Sequence, residues 1–258
     1  MRTGIKLLVM IAALAAAPSA QAQHPGALVV LDANTDLIYR ISLLTERTVL
    51  SFDAPTLQGR GVAFDGADLW VVDVAPRRIL RVDPETGYME EGFVWTRNSP
   101  TAITWDGSTL WVADTSTDTI YTMDRSTGAA TPRFRVPWLR SDNASATGLA
   151  WDGSSLWGVD SSSDRVYKMN PATGDSTHSF PVPSEAGDVS PWGIVWDGTA
   201  LWVGDAEADV LLRLDPDTGA VLRRIPAPEG TTRGLGYLPG ATRVEPASWG
   251  RVKKLYRP

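Results

Sequence analysis

The chain has 258 residues, no cysteine, and 24 basic against 30 acidic residues, for a formal charge of −6. An acidic surface repels a polyanion, so nucleic acid is excluded as the expected partner. Without cysteine, neither disulfides nor thiolate chemistry is available.

The first stretch, Met1 to Gln23, has a basic start (Arg2, Lys6), an apolar run from Leu7 to Ala17, and Ala20-Gln-Ala22. This is the pattern of a secretory signal peptide, with cleavage expected after Ala22, so residues 1–22 are assigned to export. The apolar run is too short to span a bilayer as a mature helix, and no later segment reaches transmembrane length. The expected location is secreted or periplasmic, with surface association as a variant of it.

Residues 27–240 are repetitive. Gly193-Ile-Val-Trp-Asp-Gly-Thr-Ala-Leu-Trp-Val-Gly-Asp205, continued by Arg213-Leu-Asp-Pro-Asp-Thr-Gly219, has earlier copies opening at Gly61, Ala102 and Gly148. Every copy has the same length to its Thr-Gly turn: Gly61 to Gly87, Ala102 to Gly128, Gly148 to Gly174 and Gly193 to Gly219. Most of the eleven tryptophans fall at fixed positions of the unit, which points to packing first.

Within a copy the pattern predicts four strands. The inner one alternates large residues (Val62/Phe64, Ile103/Trp105) with small ones (Gly61/Ala63, Ala102/Thr104), so its two faces differ in bulk. The second, Leu-Trp-Val-Val and its relatives, is apolar on both faces and must be covered on both sides. Asp-Gly suits the tight turn between them, because glycine adopts the positive φ that other residues resist. Asp-Pro-x-Thr-Gly sets the next turn.

The ends complement each other. Leu28–Asp32, Leu37–Ile41 and Thr48–Phe52 match a second, third and fourth strand with no inner strand before them. Gly234–Tyr237 matches an inner strand with nothing after it. Joining them predicts an all-β, five-bladed β-propeller closed between its C-terminal and N-terminal parts, with inner strands near 61, 102, 148, 193 and 234. Residues 241–258 break the pattern and form a basic tail, in which Trp249, Val252, Leu255 and Tyr256 share helical spacing.

From each Thr-Gly to the next inner strand the chain runs Gly87 to Ala102, Gly128 to Gly148, Gly174 to Gly193 and Gly219 to Gly234. The first and last of these are equal and the middle two are longer, so length variation is confined to one kind of loop on one face. The two long neighbours, Pro137 to Thr147 and Pro181 to Trp192, should raise a lip beside the channel mouth, where function on a rigid scaffold usually resides. The residues read as ligand-binding are Arg60, Trp138, Asn143, Trp192 and Arg233, which combine aromatic platforms with polar groups. Arg60 and Arg233 hold equivalent repeat positions, as an anion clamp would. The carboxylates available for acid/base work are Asp142, Glu185 and Asp188.

Asp32/Asp36, Asp114/Asp118, Asp160/Asp164 and Asp205/Asp209 recur in the blades, with Asp73/Arg77 as the exception. Such a set offers oxygen ligands to Ca²⁺, but a feature that recurs with the repeat reads first as turn capping. No other metal or cofactor is expected. With only His24 and His178, neither a nucleophile triad nor a histidine zinc site has its residues. Asn143-Ala-Ser145 is a glycosylation sequon.

Trp-Asp-Gly-x-x-Leu-Trp-Val-x-Asp followed by Arg-x-Asp-Pro-x-Thr-Gly resembles blades of secreted propellers: NHL-repeat, gluconolactonase-like and virginiamycin B lyase-like proteins. The resemblance covers about Ala27 to Gly240 and implies the fold. The lyase family's seven blades and catalytic histidines, and the lactonases' ligand set around six blades, are not matched residue by residue. The blade number is similar to that of plant-type glutaminyl cyclotransferases, whose motifs are not found.

The expected function is a ligand-binding or protein-interaction module that takes a small molecule, a glycan or a protein at the mouth. The alternative is an enzyme, a lactonase-like hydrolase or glutaminyl cyclotransferase, using the acidic loop residues there.

Overall fold

The computed structural model describes residues 26–136, 146–184, 189–228 and 232–240. Five antiparallel four-stranded sheets form a five-bladed β-propeller, as the repeat predicts. Blade II holds β4 (Gly59–Phe64), β5 (Leu69–Asp73), β6 (Arg78–Val82) and β7 (Met89–Val94). Blade III follows with β8 (Pro100–Trp105), β9 (Leu110–Asp114), β10 (Thr119–Met123) and β11 (Ala130–Arg135). Blade IV contains β12 (Ala146–Trp151), β13 (Leu156–Asp160), β14 (Arg165–Met169) and β15 (Ser176–Pro181). Blade V contains β16 (Pro191–Trp196), β17 (Leu201–Asp205), β18 (Val210–Leu214) and β19 (Val221–Pro226).

Blade I is assembled from both ends: β1 (Ala27–Asp32), β2 (Leu37–Ser42) and β3 (Arg47–Asp53) take β20 (Thr232–Leu238) as their inner strand. Ala27 pairs with Leu238 and Leu31 with Gly234, so the cut in the ring lies inside a hydrogen-bonded sheet and not between two sheets. At the adjoining seam the Arg223 guanidinium bonds Glu46 and, at 3.1 Å, the carbonyl of Leu43.

Burial falls from the axis outward. Every residue of β5, β9, β13 and β17 is buried, and so is all of β1, as expected for strands apolar on both faces. Outer strands β3, β7, β11 and β19 are mostly exposed or half-buried. The core is divided into five apolar slices, one at each blade interface. Trp202 and Ile225 of blade V, for example, meet Leu28 and Leu235 of blade I.

The turns between inner and second strands carry a repeated hydrogen-bond set. Gly66, Gly107, Gly153 and Gly198 have φ of 97 to 99°. The preceding aspartate caps two amides of the turn and accepts the indole N–H of the second-strand tryptophan. The indole bonds are 2.9 Å for Trp70, 2.7 Å for Trp111, 2.8 Å for Trp157 and 2.9 Å for Trp202. Blade I has no such turn because the chain is cut there, and Val29 occupies the tryptophan position.

At the axis the inner strands touch backbone to backbone. A β-carbon on Gly148 would lie 2.7 Å from the amide nitrogen of Ile194, and one on Gly234 would lie 2.6 Å from the carbonyl oxygen of Arg60. The cavity left between Gly61, Ala102, Gly148, Gly193 and Gly234 is about 10 Å³, room for a single water. The channel expected from the repeat pattern is therefore closed: five inner strands form too small a ring to leave a passage once glycines let their backbones meet.

Gly234→Val should lower the unfolding free energy by about 3 kcal/mol, because the new side chain meets backbone that cannot turn aside. Urea unfolding followed by near-UV circular dichroism measures this, and an unchanged midpoint contradicts the sealed axis.

Candidate functional site

Each inner strand carries an irregularity just above the sealed axis. In blade III Pro100 pairs with Asp114 and Ala102 with Ala113, so Thr101 is an extra residue. The same count makes Thr147 extra in blade IV and Arg233 extra in blade I. In blades II and V the extra residue falls within Arg60–Gly61 and at Gly193, beside Trp192. A β-bulge re-aims side chains and interrupts the ladder. Here it is repeated around the ring, and the positions before the small axial residue are Arg60, Thr101, Thr147, Trp192 and Arg233.

These five positions are unequal. Thr101 and Thr147 are buried, whereas Trp192, Arg233 and Arg60, on three consecutive blades, are half-buried. The Arg233 guanidinium lies 3.9 Å and that of Arg60 5.1 Å from the centre of the Trp192 ring. The structure thus brings together three residues of the sequence-predicted set that lie near opposite ends of the propeller chain. That Trp192 shares the repeat register of the two arginines was legible in the sequence from its place before Gly193, but the bulge that aims all three was not.

Trp192 is held by a chain of bonds. Its indole N–H donates to Ser190 Oγ at 2.9 Å, and the Ser190 amide donates to the Asp205 carboxylate at 3.1 Å. The Thr147 hydroxyl donates to the carbonyl of Pro191 at 3.0 Å. The buried Asp205 therefore sets the loop that presents the indole.

The other repeated aspartates do the same work. Asp73 accepts the amides of Leu57 and Gln58 at 3.1 and 3.0 Å. Asp114 accepts the amides of Asn98 and Ser99, both at 3.1 Å, the indole N–H of Trp95 at 2.8 Å, and the amide and hydroxyl of Ser116. Trp95, which stands outside the fixed tryptophan positions of the repeat, is buried against Tyr121 in an edge-on contact. The partner of each pair, at 36, 77, 118, 164 and 209, is the residue with φ between 50 and 55° in the following turn. Arg77 fills that conformation as well as the aspartates do. The recurring pairs are thus turn and loop anchors, and among the described residues no cluster of three acidic or histidine residues is gathered to hold a metal.

The Arg60–Trp192–Arg233 cluster itself carries two cations. Burial pushes the Arg233 guanidinium down from its usual value, repulsion by Arg60 adds to this, and the Asp32 charge opposes it. Burial lowers Arg60 as well. No carboxylate among the described residues lies within ion-pair distance of either arginine. Trp138, Asp142, Asn143, Glu185 and Asp188 lie outside the described residues, as do the signal segment and the basic tail.

No family model matches the chain, and no curated protein does. Solved structures match in fold. A chain in a crystal structure of a nidogen/laminin complex aligns with TM-score 0.60 at 18% identity, covering 84% of this chain and 99% of that one. A protein of unknown function from Bacteroides caccae aligns with TM-score 0.50 at 13% identity, covering 79% and 73%. A catalytically inactive virginiamycin B lyase from Staphylococcus aureus, crystallised with quinupristin, aligns with TM-score 0.48 at 16% identity, covering 82% and 73%. The protein is a five-bladed β-propeller bearing an arginine–tryptophan–arginine cluster above a closed axis.

Burial alone would push the Asp114 carboxyl up, but its donors from Ser116, Trp95, Ser99 and Asn98 outweigh this and hold it below the ordinary carboxylate range. A carboxylate so lowered contributes stability above its unfolded value of about 4 and loses it as pH falls through its folded value. Asp106, Asp152 and Asp197 are lowered likewise. The urea midpoint should therefore be level from pH 7 to 5 and fall steadily below about 4. Asp114→Asn, which offers an N–H to groups that donate, should cost about 2–3 kcal/mol at pH 7 and make that acid dependence shallower, the other lowered carboxylates keeping the rest. Chemical denaturation across pH tests both.

Proposed function

We propose that this chain is an exported binding module that takes its ligand or partner on the mouth face. Export rests on the reading of residues 1–22. Among the described residues no helix is long and apolar enough to cross a membrane. The observation that carries the binding reading is the inequality of the five bulge positions. Four strands of each blade obey the repeat, but at the mouth three consecutive positions carry Trp192, Arg233 and Arg60 in place of buried threonine. A structural need would recur with the blade; this one occurs on one side only.

Binding fits the chemistry of these groups better than catalysis. Arginine stays protonated throughout the working pH range and an indole N–H only donates, so Arg60, Trp192 and Arg233 can hold a ligand but do not themselves shuttle a proton. Aromatic surface with a few fixed polar donors is the usual composition of a recognition site. A small molecule, a glycan or a protein can use it. The nidogen/laminin structure, similar in fold, is of a protein complex, which supports including proteins among the partners tested.

Small-molecule, glycan and protein arrays probed with the wild type and with Trp192→Ala provide the test. Ligands found with the wild type should be lost from Trp192→Ala. They should be kept by Arg125→Ala, which removes an ion pair to Asp65 on the opposite face. Binding that survives Trp192→Ala and disappears with Arg125→Ala places the recognition surface on the wrong side of the disc.

A further inference from the structure

We propose that the mouth is a site for a dianionic oxyanion, the phosphate or sulfate group at the end of a ligand, held by Arg60 and Arg233 against Trp192. This rests on the mouth being the recognition face and goes beyond it by naming the chemical group bound.

Three observations converge. Firstly, two cations from different blades, one early and one late in the chain, are brought over one indole ring at 5.1 and 3.9 Å. Guanidinium on an aromatic face is an attractive arrangement that fixes the planar fork and leaves its N–H donors on the outer edge. Secondly, both guanidiniums are half-buried, Arg60 repels Arg233, and no described carboxylate lies within ion-pair distance of either, the Asp32 charge acting on Arg233 only from further away. Other cations of the chain have such partners, as Arg81 with Glu90 and Arg213 with Asp197. Two half-buried like charges that share one indole and repel each other are unfavourable unless an anion joins them. A single carboxylate neutralises one of them, whereas a dianion matches both and has enough oxygens to accept from two forks.

Thirdly, the floor is closed. With a cavity of only about 10 Å³ beneath, nothing can thread the axis, so a ligand binds end-on and presents a terminal group. The chain's overall charge of −6 opposes the approach of an extended polyanion. This favours a compact head group over an extended polyanion.

The test uses the full chain at constant ionic strength and follows tryptophan indole ¹H–¹⁵N signals alongside calorimetry. The Trp192 signal is assigned by its loss in Trp192→Phe. Inorganic phosphate, sulfate and phenyl phosphate should each shift that signal saturably. Acetate should bind roughly tenfold more weakly, for want of the second charge. Tighter binding of phenyl phosphate than of inorganic phosphate marks an ester as the natural source; the reverse order marks the free ion. Arg60→Ala and Arg233→Ala should each weaken binding roughly tenfold, with circular dichroism unchanged. Arg60→Lys, which keeps the charge and loses the planar fork, should fall between. Shifts that do not saturate, acetate binding as well as phosphate, or affinity unchanged in the double alanine variant each overturn the assignment. If anions fail while an uncharged array ligand still depends on Trp192, the binding module stands without this site. If no ligand depends on Trp192, both fall.

Discussion

The constraint on which the architecture depends is the contact between backbones at the axis. Propeller blades are wedges, and how many close a ring depends on how near their inner strands can approach. With hydrogen in place of a side chain at Gly61, Gly148, Gly193 and Gly234, and a methyl at Ala102, neighbouring strands meet at van der Waals distance. Five wedges then suffice. The large residues of the same strands, from Phe64 to Trp196, face the other way and fill the interfaces, so one period-two alternation provides both the tight axis and the five apolar slices.

Closure at the axis has a consequence at its rim. Strands converging on so narrow a circle cannot keep a regular ladder to their ends, and each takes an extra residue where it emerges. The bulge frees one side chain per blade from the sheet's two faces. The aspartate that ends the second strand accepts amides of its own turn in blades I and IV, of the loop leading to the inner strand in blade II, and of both in blades III and V. Sequence repetition thus places an anchoring aspartate in each of the five blades, and the chain varies what stands beside it.

Much of this was legible from residues. The all-β ring, its five blades and the joining of Gly234–Tyr237 to Leu28–Asp32 followed from strand patterns and from what each end lacked, because β-pairing and wedge packing leave a periodic signature. The turn role of the recurring aspartates followed from their recurrence. The closed axis was hidden: small residues in alternation signal a packing face, and only the distance between strands shows that they also remove the passage. The convergence of Arg60, Trp192 and Arg233 was hidden for a related reason. Their equivalence is written in the repeat, but a bulge has no residue signature of its own here, since arginine, threonine and glycine all occupy it.

The energetics of the two levels separate in a way that assigns roles. Asp114 is fully buried and its hydrogen bonds hold its charge, so it contributes to stability; the residues it bonds, from Asn98 and Ser99 to Ser116, are loop residues that it organises. Arg60 and Arg233 stand in the opposite relation to the fold. Burial acts against the charged form of both, and the charge of Arg60 acts further against that of Arg233, with Asp32 and the indole face opposing. Strain of this kind persists where the surrounding structure over-determines it, and the stacking on an indole anchored through Ser190 to Asp205 does so. The scaffold's satisfied carboxylates anchor the indole that holds the two cations, and among the described residues no carboxylate lies within ion-pair distance of either.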